Sequence, residues 1–250
     1  MRIFSVLLRR ELAAYFFSFT GYVIIAAITF LTGECFVQFI SALGSVPFPM
    51  PVTQMFFGSF YFWMILLLSA PVITMRLFAH EKASGTFETL MTTPVGDLEV
   101  VAAKFAAAFL FYLIMWLPLL ACLFLVGHFT NQAGALDFGT VGGMYLGILL
   151  AGAFFLSFGC LASAVSRSQM VAAMISLAFG ISQFAAAYWA KSVPLADTWQ
   201  SQLWSCLNLF DQITDLSRGT VDTRAVIFYL SATFLFLFLT LRVVESRRWK

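Results

Sequence analysis

Residues Phe105–Val126 read FAAAFLFYLIMWLPLLACLFLV, a run without one charged side chain. A helix rises about 1.5 Å per residue and the hydrocarbon core of a bilayer is about 30 Å thick, so about 20 apolar residues cross it. This run is long enough, and its apolar residues do not alternate with polar ones as they would in a strand of a membrane barrel. Five further stretches meet the same length: Gly21–Ile40, Gly58–Phe78, Val141–Val165, Val171–Ala190 and Ala225–Leu241. The pattern predicts six membrane-spanning helices.

Composition supports a lipid environment throughout. Of 250 residues 61% are apolar and 10% charged, against about 45–50% and about 25% in soluble domains. Fourteen basic and twelve acidic residues cannot coat a soluble 27.8 kDa globule with water-compatible groups. A mean hydropathy of +0.92 excludes disorder, and four scattered cysteines exclude a disulfide scaffold. Cys35, Cys122 and Cys160 fall in apolar runs and only Cys206 in a more polar one, with no metal-ligand spacing. A net charge of +2, with no basic patch interleaved with aromatics, argues against nucleic acid as a partner. The expected fold is one all-α membrane domain spanning 1–250.

Basic residues set the expected orientation. With the N-terminus inside, Arg2, Arg9, Arg10, Arg76, Lys82, Lys104, Arg167, Arg242, Arg247, Arg248 and Lys250 are cytoplasmic, and only Lys191, Arg218 and Arg224 lie outside. The positive-inside rule therefore places both termini in the cytoplasm, with Trp189 and Trp249 near span ends as interfacial anchors. Residues 1–19 lack a small-residue cleavage site, so they read as retained. They predict an amphipathic interfacial helix with Arg9, Arg10 and Glu11 on one side and Ile3, Leu7, Tyr15 and Phe16 available to lipid. Ser41–Phe57, with Pro47, Pro49 and Pro51, reads as a stiff outer loop. The outer segment 191–223 mixes aspartates with Trp199, Trp204, Leu207 and Phe210 and predicts short amphipathic helices.

Between the second and third spans the chain reads FAHEKASGTFETLMTTP over 78–94. Ser84 is placed to cap the first turn of a short helix that Pro94 stops, while Phe87, Leu90 and Met91 share one face at i, i+3 and i+4. So short an amphipathic element is unstable alone and needs a partner surface. Asp97 then caps the next helix, with Glu99 in its first turn.

These residues carry a resemblance. Glu81-Lys82-x-x-Gly85-Thr86-x-Glu88-x-Leu90-x-x-x-Pro94, followed by Asp97-x-Glu99 and Lys104, resembles the cytoplasmic loop of type-2 ABC transporter permeases. Arg218-Gly219-x-Val221-Asp222-x-Arg224 and the ending Arg247-Arg248-Trp249 are similar to the branch named after gliding-motility permeases. The resemblance implies that 81–94 is a coupling helix, docking through Glu81, Lys82, Gly85, Thr86, Phe87, Glu88, Leu90, Met91 and Pro94 into a groove of a separate ATP-hydrolysing subunit. It also implies two copies of that ATPase, which bind ATP and Mg, a second permease subunit, the same or homologous, and a bacterial inner-membrane location. An outer-side accessory protein is a further expected partner, and export the expected direction.

The chain carries no nucleotide-binding motif, because none of Lys82, Lys104, Lys191 or Lys250 follows a glycine. His80-Glu81 lacks the second histidine of a zinc protease, and His128, in an expected outer loop, lacks neighbouring ligands or nucleophiles. No catalytic residue, metal site or cofactor is expected on this chain. Within the spans Glu34 is the one deep carboxylate, and with Gln183 and Ser176 it marks a cargo path or a subunit interface. Gly139, Gly143 and Gly147 recur every fourth residue as a stripe for close helix packing. Pro71 and Pro118 are expected to bend their spans, and the 30 phenylalanines to be mostly lipid-facing bulk. The competing class, a stand-alone secondary transporter or channel, calls for several intramembrane charges or broken helices in matching halves. Glu34 alone weakens that reading.

Overall fold

The computed structural model describes residues 2–43, 52–86, 96–130, 138–192 and 209–248, and its described regular structure is helical. The helices are α1 (Arg2–Phe16), α2 (Phe19–Leu43), α3 (Val52–Gly58), α4 (Phe60–Thr74), α5 (Ala79–Ala83), α6 (Asp97–Met115), α7 (Leu117–Thr130), α8 (Phe138–Val165), α9 (Gln169–Ser192), α10 (Leu209–Ser217) and α11 (Thr223–Arg248). Six runs are long and apolar enough to cross a membrane: Phe19–Ser41, Phe60–Ala83, Asp97–Leu125, Gly139–Val165, Gln169–Trp189 and Thr223–Ser246. The protein is an all-α, multi-pass membrane protein.

The spans are not equivalent. The most apolar windows of α8 and of the run containing α4 are 72% and 67% buried within the chain, whereas those of α2, α9 and α11 are 17–22% buried. Helix α8 is therefore the central post, and α2, α9 and α11 present most of their surface outward. The post accepts neighbours where it has no side chain. Gly152 lies against the buried Tyr112 ring of α6, and Gly159 lies against Thr74 of α4, whose Cβ would sit 2.8 Å from an added methyl. The Tyr112 hydroxyl then donates to the Ile148 carbonyl at 3.2 Å. Close approach through small residues is how membrane helices gain packing without a hydrophobic driving force.

The Gly139, Gly143 and Gly147 stripe also packs, but the helix it receives is not a span. Gly143 and Gly147 face Leu216 of α10, and Gly139 faces Gly219 just beyond it. Leu209, Ile213 and Leu216 are buried, 2%, 1% and 1% exposed, so an amphipathic helix of the kind expected in this segment exists at 209–217; residues 193–208 lie outside the described set. The turn that follows explains much of the Arg218–Arg224 signature locally. The Gly219 N–H donates to Leu216 O and the Thr220 N–H to Asp215 O. This helix end requires the positive φ of +80° that Gly219 adopts. Asp222 Oδ1 then accepts from the Arg224 N–H at 2.9 Å, capping α11.

Several expectations change. Phe56 and Phe57, assigned to the proline-bearing loop, lie on helix α3 and are 0% and 2% exposed, because their rings fill a cluster with Phe62 and Trp116. Pro47, Pro49 and Pro51 lie outside the described residues. Many phenylalanines are internal: Phe154 meets Phe155, Phe179, Tyr229 and Phe236, and Phe158 stacks on Phe179 at 3.7 Å between centroids. His128 sits on the backbone of α7, which runs on to Thr130, rather than in a loop. Pro71 leaves α4 continuous to Thr74, whereas the third span breaks at Trp116, just before Pro118. There the Trp116 N–H turns back to Leu113 O and the Leu119 N–H to Trp116 O. The Tyr145 hydroxyl also donates to the Trp116 carbonyl at 3.1 Å, so a side chain of α8 helps to satisfy the backbone at the break.

Gly159→Ala should force α4 away from the post. The expected loss is ~1–3 kcal/mol, read as a lower midpoint in thermal unfolding of the full chain in detergent. An unchanged midpoint would show that Thr74 does not set the spacing.

Candidate coupling site

The segment joining the second and third spans begins on α5. Ser163, in the last turn of α8, places its hydroxyl where it accepts from the Phe78 and Ala79 N–H groups at 3.0 and 3.1 Å. Those are first-turn donors that no side chain of the segment itself satisfies. Helix α5 thus starts at Ala79 because α8 caps it. Ser84 closes α5: its N–H donates to His80 O, and its hydroxyl lies 3.2 Å from Glu81 O and 2.8 Å from the Thr86 hydroxyl; the helix expected to follow Ser84 as far as Pro94 falls mostly outside the described residues. Gly85 follows at φ +73°, a left-handed turn that costs other residues roughly 1–2 kcal/mol. The backbone is helical again at Thr86. Phe87, Glu88, Leu90, Met91 and Pro94 lie outside the described residues.

Each polar side chain of α5 is tied to a different element. The Lys82 ammonium donates to the Ala164 carbonyl, one of the orphan acceptors at the C-terminus of α8, where the helix dipole favours a cation. The Nε2 group of Gln169, the first residue of α9, lies 2.8 Å from His80 Nδ1. Glu81 points the other way and accepts from Lys104 Nζ at 2.8 Å and from Arg10 at 3.4 Å.

Lys104 is the centre of this arrangement. It is only 2% exposed, a position that an unpaired ammonium could not hold. Two carboxylates from separate elements compensate it, Glu81 of α5 at 2.8 Å and Glu11 of α1 at 3.1 Å, while the Phe78 ring lies 5.4 Å from Nζ. Arg10 closes the cluster on Glu11 at 2.6 Å. Sequence reading placed Lys104 in the family motif but assigned it no partner, and it missed Glu11 and Arg10 because they lie about ninety positions away.

Helix α1 is consequently held by protein on the face expected to meet lipid. The Tyr15 hydroxyl donates to Ile73 O at 2.8 Å, and the Tyr15 ring stacks on Phe111 at 4.9 Å. Phe16 meets Phe111 edge-on. Desolvation pushes the Tyr15 phenol well above its ordinary titration range, so it remains a donor. Ile3 and Val6, 45% and 69% exposed, keep the outward face. Burial of Tyr15 wins because it satisfies a carbonyl freed at the end of α4.

The intramembrane candidates do not join this site. Glu34 is exposed on α2, Ser176 is buried on α9, and Gln183 is half-buried there. No hydrogen bond links the three among the described residues, and no cluster of potential metal ligands occurs there either.

Lys104→Met would strand Glu11 and Glu81 together. Breaking a buried pair costs ~3–5 kcal/mol, and the lower end is expected because the carboxylates keep 12% and 18% side-chain exposure. Chemical denaturation in detergent measures the loss. In a double-mutant cycle, Lys104→Met combined with Glu81→Gln should recover part of it, and strict additivity would exclude the contact.

The sequence pattern of the ABC-2 family transporter protein matches residues 14–241, and no curated protein matches the chain. That match runs from within α1 to within α11 and takes in five of the membrane runs whole, with α5 at the end of the second, and most of the sixth. The chain accordingly belongs to the ABC-2 transporter family, as a multi-pass membrane permease component.

Proposed function

We propose that the chain is one permease half of an ATP-driven exporter in the bacterial inner membrane, with both termini and α5 on the cytoplasmic side. Two copies of a separate ATPase bind ATP and Mg, and a second permease, the same or homologous, completes the pathway. The segment Glu81–Pro94 is the coupling helix: Phe87, Leu90 and Met91 enter a groove of the ATPase, and Glu88 and Pro94 flank that face. An outer-side accessory protein would engage the face that carries α10.

The observation that supports this reading is the mounting of α5. Ser163 and Lys82 fix it to α8, His80 to α9, and Glu81 to α6 and α1 through Lys104 and Arg10. A peg held on four sides passes displacement to the spans, whereas a loose loop would absorb it. The charge asymmetry of the loops supports the cytoplasmic placement. Glu34, exposed on α2 beside Phe30 and Val37, fits a surface covered by the second permease. A carboxylate facing lipid at depth costs about 2.5–3.5 kcal/mol. The Arg218–Arg224 segment and the Arg247-Arg248-Trp249 ending support placement in the gliding-motility-like branch, with no cargo implied.

Replacing Leu90 and Met91 with aspartate should remove the ATPase from the purified complex while the permease still inserts and purifies at its usual yield. Retention of the ATPase at the unmodified ratio would overturn the coupling role. Labelling a cysteine introduced at Thr86 only after the inner face of sealed vesicles is opened tests the sidedness.

A further inference from the structure

Between α1, the start of α2, the end of α4 and α5 lies a cleft of about 360 Å³, within the range of small-molecule sites. Its charges are unevenly satisfied. Arg10, Lys104, Glu11 and Glu81 close on one another with two charges of each sign. Arg76 stands apart. Its Nη1 donates to Thr20 Oγ1 at 2.6 Å, and among the described residues no carboxylate pairs with it. A guanidinium offers five N–H donors in a planar fork, so the half-buried Arg76 keeps donors beyond the one Thr20 takes, at a cleft where Glu11 and Glu81 are engaged by Arg10 and Lys104. The hydroxyls of Ser18 and Thr20, 2.9 Å apart, add polar atoms on the same wall.

Apart from His80 and the Tyr15 hydroxyl, the rest of the lining is apolar, with Ala14, Ile24 and Val72. The residues interleaved with Ser18 and Thr20 are Phe17 and Phe19, 89% and 84% exposed. On a membrane protein, outward phenylalanines at a helix junction meet acyl chains rather than water. The cleft thus pairs one unneutralised guanidinium with an opening onto hydrocarbon. Phosphate-ester chemistry satisfies the cation, and the apolar surround selects a lipid over a free phosphate. We propose that Arg76, with Thr20 and Ser18, binds the phosphate of an anionic phospholipid drawn from the adjoining leaflet. Basic pockets between spans recognise anionic headgroups in this way. On the sidedness proposed above, that leaflet is the cytoplasmic one, and the lipid sits beside the base of the coupling helix, bridging α2 to the end of α4.

The test is native mass spectrometry of the full chain released from nanodiscs containing phosphatidylglycerol and phosphatidylcholine in equal amounts. Retained phosphatidylglycerol should exceed phosphatidylcholine by about fivefold, the effect of one basic residue near a headgroup. Arg76→Gln should abolish the preference, Arg76→Lys should keep most of it, and Thr20→Val should weaken it. Arg242→Gln, at a cation already paired with Glu245, should leave it unchanged. Thermal protection by phosphatidylglycerol should not be matched by inorganic phosphate or glycerol phosphate. A preference that survives Arg76→Gln in a variant eluting as a single folded species overturns the proposal, as does equal protection by the free phosphates. Equal retention of the two lipids by the unmodified chain, with the ATPase still bound, counts against the lipid site alone. Intact preference in a chain that binds no ATPase counts against the coupling role alone.

Discussion

A buried ammonium between two carboxylates ties this permease together at one end. Lys104 belongs to a span, Glu11 to the N-terminal helix and Glu81 to α5. In a low-dielectric setting none of the three is tolerable alone, so the desolvation that penalises each charge also penalises separation of the elements that carry them. The pair need not add much net stability against an apolar substitute. Its consequence is geometric: α1 and α5 hold fixed positions against α6, and the Tyr15 and Phe16 rings are brought onto Phe111.

That fixed end works because α8 supplies the other half of the mounting. Its last turn presents Ser163 to the first amides of α5 and the Ala164 carbonyl to Lys82. Farther along, its missing side chains at Gly152 and Gly159 admit Tyr112 and Thr74. One helix therefore sets both the spacing of the central spans and the start of the short element proposed to face the cytoplasm and receive the ATPase. The unneutralised Arg76 lies where α4 runs into α5, so a bound lipid there would act on the same joint.

Much of the fold was legible along the chain. Apolar runs located the spans, since lipid leaves a helix no alternative to satisfying its own backbone. The stripe at Gly139, Gly143 and Gly147 announced close packing. The site was legible only in outline. Glu81, Lys82, Gly85 and Thr86 stood out by motif, and the described structure gives each a structural tie: Glu81 an ion pair, Lys82 a helix-end carbonyl, Gly85 a left-handed turn and Thr86 a hydrogen bond with Ser84. The start of α5 was not legible, because the hydroxyl that caps it, Ser163, lies on α8, about eighty residues away.

Hydrophobic length and the count of basic residues per loop are local quantities, so the sequence by itself determined an all-α membrane protein, its six spans and the segment most suited to meet a partner. Which face of α1 turns inward, what Lys104 neutralises, which helix fills the glycine stripe and which cation of the cleft meets no carboxylate among the described residues depend on groups far apart along the chain. Only the tertiary structure decided these. Each is settled by a buried polar group or a missing side chain finding its complement across space, and no periodicity within one helix encodes that match.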